Sequence, residues 1–325
     1  MVKFGYKLMT EEHGASTLVE NARRAEDGGF DFVSISDHFH PWLESQGHSP
    51  FAWGVLGAIA ATTSRIEITT GLTCPIIRYH PAIIAQAAAT IAAMSGGRFT
   101  LAIGAGERLN EHVTGARWPS VIERHEMLAD AIQIFRALWS GGIHTLPLKH
   151  FTVDHARLYE APEKPIPIVM GVSGAHSVAL AAEKADGIMA VEPKSELVDD
   201  YRARTSRPGP CYAEVTLGYA QSEAAALKMV HERFRFGALG WSVMSEAPTV
   251  ESFEAATKYI RPEDLNDSAG LGPDPENHLK AIGKFIDAGF DHIVLTGVGD
   301  DQAGFIDFFQ RELKPRLTDI LQRRA

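Results

Sequence analysis

Cysteine is nearly absent: Cys74 and Cys211 are the two in 325 residues, and their separation offers neither a disulfide framework nor a thiolate zinc site. Reduced thiols are the expectation. Long hydrophobic runs are missing too, since no stretch approaches the ~18 uninterrupted apolar residues a membrane helix needs. The chain opens on a strand-like Lys3-Phe4-Gly5-Tyr6-Lys7 where a signal peptide would be. A membrane is therefore not expected as a partner, and the cytoplasm is the expected compartment. Basic charge is scarce: 31 Lys and Arg against 41 Asp and Glu give a formal charge of -10. With no basic run, nucleic acid and anionic membranes lack the cationic face they need. Repeats, low-complexity tracts and linkers are also lacking, so a single domain over residues 1–325 is the simplest organisation.

What is present is an ordinary soluble composition, 45% apolar and 22% charged, arranged as an alternation of short apolar runs with helical stretches. Predicted strands cover Lys3 to Leu8, Phe32 to Ser36, Ile66 to Thr70, Phe99 to Ile103, Ile168 to Met170, Gly187 to Ala190, Glu214 to Tyr219 and His292 to Leu295. Helices are predicted near 16–27, 52–62, from Pro81 onward, 120–139, 277–288 and 302–313, the third opening on proline, which suits a first turn. Eight strands, each followed by a crossover, predict a closed parallel (β/α)8 TIM barrel in preference to an open doubly wound sheet. Two insertions interrupt it, an irregular hairpin at about 143–160 and a proline-punctuated segment at about 237–273.

The densest chemistry lies past the second strand, in Ser36-Asp37-His38-Phe39-His40-Pro41-Trp42 and on to Gly47-His48-Ser49-Pro50-Phe51. Pro41 stops regular structure, which leaves Asp37, His38 and Trp42 on a loop at a strand's C-terminal end, where barrels carry catalytic groups. Imidazole titrates near ~6.5, as a general base at neutral pH requires. The plainer reading is a turn-capping histidine. Three histidines at 38, 40 and 48 on a broken loop match no metal-ligand pattern.

Gly104-Ala105-Gly106-Glu107-Arg108-Leu109-Asn110 follows the fourth strand; it resembles half a dinucleotide fingerprint, but Leu109 stands where the third glycine belongs. Its more secure meaning is a tight turn that lets something planar approach and leaves Glu107 projecting. Glu11 and Glu12 follow the first strand; either faces the mouth, or both head the next helix. Gly171-Val172-Ser173-Gly174 opens a helix, reading either as an anion seat or as a plain turn capped by Ser173.

Gly5-Tyr6-Lys7, the Ser36 to Trp42 and Gly47 to Phe51 blocks, Gly106-Glu107-Arg108-Leu109-Asn110-Glu111 and Trp139-Ser140-Gly141 together resemble the F420-dependent dehydrogenases of the bacterial luciferase-like superfamily, nearly end to end. That resemblance implies a barrel, usually a homodimer, binding the deazaflavin coenzyme F420 at its C-terminal mouth. It implies that His38 takes the proton of a substrate hydroxyl as hydride passes to the deazaflavin C5. Trp42 would wall the substrate, Glu107 act as an acid beside the ring, and Glu11 orient His38 or the substrate. Asp37, Gly71, Leu72, Cys74, Gly106 and Asn110 would contact the ring, with a non-prolyl cis peptide between Gly71 and Thr73. Val172, Ser173 and Gly174 would face the cofactor's phosphate and tail. Glucose-6-phosphate members grip the sugar phosphate with three basic residues. Lys194 matches one, while Ala255 and Ser268 stand at the other two, with Lys258 and Arg261 nearby. The substrate implied is an alcohol or an unphosphorylated sugar-like hydroxyl. Glucose-6-phosphate dehydrogenation itself, FMN-dependent monooxygenation on the same fold, and a cofactor carrier without turnover are the alternatives.

Overall fold

The computed structural model describes residues 2–266 and 269–324. In chain order the elements are β1 (Lys3–Leu8), α1 (Ala15–Asp27), β2 (Phe32–Ile35), α2 (Ala52–Thr62), β3 (Glu67–Thr70), α3 (Pro81–Met94), β4 (Phe99–Ile103), α4 (Arg108–Glu111) and α5 (Val121–Trp139). Then come β5 (His144–Pro147), β6 (Thr152–Ala156), β7 (Ile168–Gly171), α6 (Ala175–Lys184), β8 (Gly187–Ala190), α7 (Ser195–Arg204), β9 (Cys211–Gly218) and α8 (Glu223–Phe234). The last are α9 (Trp241–Met244), α10 (Val250–Thr257), β10 (Gly270–Leu271), α11 (Pro275–Asp287), β11 (His292–Gly297), α12 (Gln302–Phe308) and α13 (Lys314–Arg324). Parallel pairing runs β1, β2, β3, β4, β7, β8, β9, β11 and back to β1, closing a barrel of eight strands. The hairpin β5–β6 stands outside it.

Side-chain alternation along each strand divides the core in two. Outward residues pack under the helices. Inward residues Phe32, Ala102, Val169, Met189, Tyr212 and Val294 fill the barrel, with Phe32 and Tyr212 edge-to-face at 5.4 Å. Gly5 makes that layer possible, because a Cβ there would stand 2.2 Å from the Phe32 ring. Above the layer lies an interior ion pair: Lys7 Nζ donates to Glu214 Oε2 at 2.6 Å and to the Gly71 carbonyl at 2.8 Å, while Thr296 donates to Glu214 Oε1 at 3.0 Å. Helix starts carry the expected caps, Ser120 accepting from Glu123 N at 3.3 Å and Asp274 preceding Pro275.

The structure moves several predicted boundaries. The seventh barrel strand covers Cys211–Gly218, beginning three residues before the expected Glu214, because Ala213 and Cys211 pair into the ladder despite the turn-forming Pro208-Gly209-Pro210 before them. The final helix runs past Leu313: a widened turn over Phe309–Leu313 joins it without a break to α13, which carries Pro315 at its second position. The second insertion contains α9, α10 and the two-residue strand β10.

Candidate active site

All the functional candidates follow C-terminal strand ends, so parallel pairing gathers them at one mouth. His38, buried beyond β2, lies tilted against Trp42 with ring centroids 4.8 Å apart. Its Nδ1 faces the His40 carbonyl at 3.1 Å. A carbonyl can only accept, so Nδ1 carries a proton. That Nε2 looks at Glu11 Oε1 at 3.4 Å and Glu107 Oε2 at 3.8 Å. An imidazole so placed can take a proton, and the cation formed would stand between two carboxylates.

Glu11, and not Glu12, faces this centre. Burial pushes its carboxyl up, but the His38 imidazole, Lys7 and the Ser36 hydroxyl bring it below the ordinary carboxylate value. Ser36 donates to Glu11 Oε2, and Thr10 Oγ1 does so at 3.3 Å. Glu12 turns the other way, accepting from Gly299 N at 3.0 Å with Oε1 unpartnered, and burial raises its carboxyl to about 7.

Asp37 serves the loop. Its buried carboxylate accepts from Arg78 Nη2 at 2.9 Å, Tyr79 hydroxyl at 3.0 Å, Trp53 Nε1 at 3.2 Å and Thr73 Oγ1 at 2.9 Å. Its backbone carbonyl accepts from Arg78 Nη2 as well, at 2.8 Å. Arg78 also lies 3.6 Å from Glu111, which burial raises to about 7.

Beyond β3, the Gly71–Leu72 peptide is cis, where the resemblance places one. Leu72 packs on the interior layer and so floors the mouth. Gly106 needs its positive φ of 80°, and a Cβ there would meet Cys74 Sγ at 2.5 Å. Cys74 is thus sealed under the turn, and burial pushes its thiol well above the ordinary range. Glu107 follows, a fifth exposed, held by Asn110 Nδ2 at 2.9 Å. Asn110 Oδ1 in turn accepts from Phe39 N at 2.8 Å and His40 N at 3.2 Å.

After β7, Val172 is buried and Ser173 exposed. Ser177, not Ser173, caps α6: its Oγ accepts from Ser173 N at 3.1 Å and Gly174 N at 3.3 Å.

Trp42 is buried. It stacks on Phe236 at 4.9 Å and meets Phe253 edge-on at 5.0 Å, so the second insertion forms the wall behind His38. Phe236 and Phe253 carried no motif that sequence reading could use. Nor did Ser36 and Thr10 as anchors of Glu11, or Arg78 and Tyr79 as anchors of Asp37, because each works only through contact across strands.

Lys194 is half-exposed and pairs with Glu192 at 2.9 Å. Ala255 sits exposed on α10, and Ser268 lies outside the described residues. Arg261 pairs with Asp264 at 2.8 Å, and Lys258 lies over the Tyr259 ring at 5.5 Å.

The profile of the family described as Luciferase-like monooxygenase matches residues 2–292. The chain belongs to the luciferase-like family. Over 97% of both chains this luciferase-like protein is 34% identical to a relative named F420-dependent glucose-6-phosphate dehydrogenase from Microbacterium testaceum. It is 33% identical to one of the same name from Rhodococcus erythropolis, covering 97% of this chain and 98% of the other. Among solved structures, an F420-dependent secondary alcohol dehydrogenase in complex with an F420-acetone adduct superposes with a TM-score of 0.89 at 28% identity, covering 95% of this chain and 97% of that one. The monooxygenase RslO1 from Streptomyces bottropensis shares the fold at 19% identity, with a TM-score of 0.76 over 97% and 99% of the two chains.

Proposed function

We propose that this protein is a coenzyme F420-dependent oxidoreductase acting on the hydroxyl-bearing carbon of an alcohol or an uncharged sugar. One observation carries the reading: His38 Nε2, with Nδ1 committed to a carbonyl, faces Glu11 and Glu107 at the strand ends. The residues present fit a flat redox ring, since Leu72 offers an apolar floor and the histidine and two carboxylates a titratable rim. Bound there, the deazaflavin supplies a hydride acceptor at its C5. Gly71, Leu72, Cys74, Gly106 and Asn110 would hold it, with Val172, Ser173 and Gly174 toward its tail.

The chain's own work is proton handling and exclusion of water. His38 Nε2 takes the hydroxyl proton, Glu11 stabilises the resulting imidazolium, Glu107 exchanges a proton at the ring's edge, and Trp42 walls the substrate. A good base contributes about 10²–10⁴-fold. Glucose-6-phosphate is the second reading, favoured by the names of the relatives. Against it, Lys194 already pairs with Glu192, and Ala255 brings no charge. Each missing charge-assisted bond would forgo about 1.5–3 kcal/mol.

We also infer a single domain and a homodimer. Neither α2 nor α3 carries Asp, Glu, Lys or Arg, and together with the preceding loop they expose Phe51, Ala58, Ala61, Ile83 and Met94. An outer barrel helix facing water is normally charged there.

The test mixes purified protein with oxidised coenzyme F420 and alcohols, sugars or glucose-6-phosphate, following deazaflavin absorbance, with FMN, a flavin reductase and its reductant, and oxygen uptake above the rate without the protein, as a parallel arm. Bleaching with an uncharged alcohol or sugar is expected. Bleaching with glucose-6-phosphate alone selects the second reading, and oxygen uptake with FMN but no bleaching overturns both.

A further inference from the structure

We propose that Glu214 is a specificity-determining residue that accepts a hydrogen bond from a second hydroxyl of the substrate, which makes the substrate a polyhydroxylated ring in preference to a simple alcohol. This deepens the reading given above and rests on it. The observation behind it is the surface on which the mouth stands. Along each strand, the side chain two positions beyond the filled inner layer points inward again, one level nearer the mouth. Past β4 and at the end of β7 that position is a glycine, and Leu72 lies across both: a Cβ at Gly104 would stand 3.0 Å from Leu72 Cδ1, and one at Gly171 2.5 Å. That half is apolar. On β1, β9 and β11 the same level is Lys7, Glu214 and Thr296, the register setting Glu214 beside Val294 of the layer and Thr216 beside Thr296. That half is polar.

Of the polar half, Glu214 is the acceptor open to the mouth, since Lys7 and Thr296 are buried. Lys7 Nζ donates to its Oε2 at 2.6 Å and Thr296 Oγ1 to its Oε1 at 3.0 Å, which leaves each oxygen a further lone pair. Its side chain is 16% exposed although Ala213 and Val215 on either side are sealed, and the filled layer closes the barrel beneath it, so a ligand reaches that carboxylate from the mouth. Thr216, one level higher and partly exposed, has a hydroxyl without a partner among the described residues. Lys7 also helps to hold Glu11 ionised, and Glu11 faces His38 Nε2 at 3.4 Å. A ring that presents its reacting hydroxyl to His38 then lays its other hydroxyls toward Glu214 and Thr216. An alcohol with a single hydroxyl sets hydrocarbon against a half-desolvated carboxylate, which is unfavourable.

The test compares kcat/KM for cyclohexanol, the cyclohexanediols and myo-inositol, which share one ring and differ in hydroxyls. Myo-inositol or one of the diols is expected to exceed cyclohexanol by about 10–100-fold, the worth of one hydrogen bond to a charged group. Glu214→Gln, which keeps one acceptor for Lys7, should narrow that ratio by about tenfold, and Thr216→Val by about 3–10-fold. The dissociation constant for F420, read by fluorescence quenching, should stay within about threefold of wild type in both, as for positions apart from the ring. Thr216→Val removes no side-chain hydrogen bond of the folded chain, so it decides the matter if Glu214→Gln fails to fold. In the unliganded protein, calorimetry should show myo-inositol binding wild type more tightly than Thr216→Val.

Equal kcat/KM across the series in wild type would overturn the proposal, as would F420 binding without bleaching by any member, or a ratio that Thr216→Val leaves unmoved. F420 affinity falling in step with kcat/KM would do the same, placing this half of the floor under the coenzyme. Wild-type protein with no affinity for F420 would sink the functional reading instead, and the calorimetric comparison would still decide whether this floor takes a polyol.

Discussion

His38 has one nitrogen committed to a carbonyl and one facing two carboxylates, and the proposed base chemistry rests on that division. Replacing it with alanine should lower kcat by about 10²–10⁴-fold, with cofactor affinity read separately by fluorescence to show that the mouth is intact. Glu11 and its sequence neighbour Glu12 show how a strand end divides two identical residues. Glu11 gains Ser36, Thr10 and His38 as partners and is held ionised. Glu12 gains one backbone donor, leaves Oε1 bare, and is raised from an ordinary 4.5 to about 7. A carboxyl raised on folding adds stability that is present in full below pH 4.5 and is lost as the pH rises through about 7. Chemical denaturation of wild type and Glu12→Gln across pH 4 to 8 should therefore diverge in slope over that window, by roughly 3 kcal/mol in all. Parallel curves would show that Glu12 is ionised in the fold.

At the scale of elements, the second insertion is the back wall of the site. Phe236 and Phe253, from the turn after α8 and from α10, press on the far face of Trp42, whose near face meets His38. Phe253→Ala should destabilise the fold by about 3–5 kcal/mol through the cavity it opens. Phe236→Ala should raise KM for substrate more than it changes F420 affinity, because the stack supports Trp42 and not the ring's floor. Equal losses of both would place the insertion on the cofactor side.

At the scale of the whole molecule, two features decide how the barrel stands. The interior pair Lys7–Glu214 replaces apolar filling at the level just under the mouth and fixes the Gly71 carbonyl. Removing one partner of a buried pair leaves an uncompensated charge, so Lys7→Met should cost about 3–5 kcal/mol, measured by denaturant unfolding, while Lys7→Met with Glu214→Leu should recover much of it. Outside, the uncharged faces of α2 and α3 predict that Ile83→Glu shifts a dimer to monomer in light scattering. A wild type that elutes as monomer would refute that assignment.

Strand alternation, the eightfold count, the two insertions, the His38 loop and the Gly106 turn were legible in the sequence, because each rests on local periodicity or on a proline or glycine that acts through its own backbone. Tertiary structure alone decided which glutamate faces His38, that Asp37 turns inward onto Arg78, Tyr79, Trp53 and Thr73, that Phe236 and Phe253 back Trp42, and that Asn110 joins two barrel units. Those contacts link residues up to about two hundred positions apart, and only closure of the parallel barrel, which brings every strand's C-terminal end to one rim, sets them within hydrogen-bonding or stacking distance.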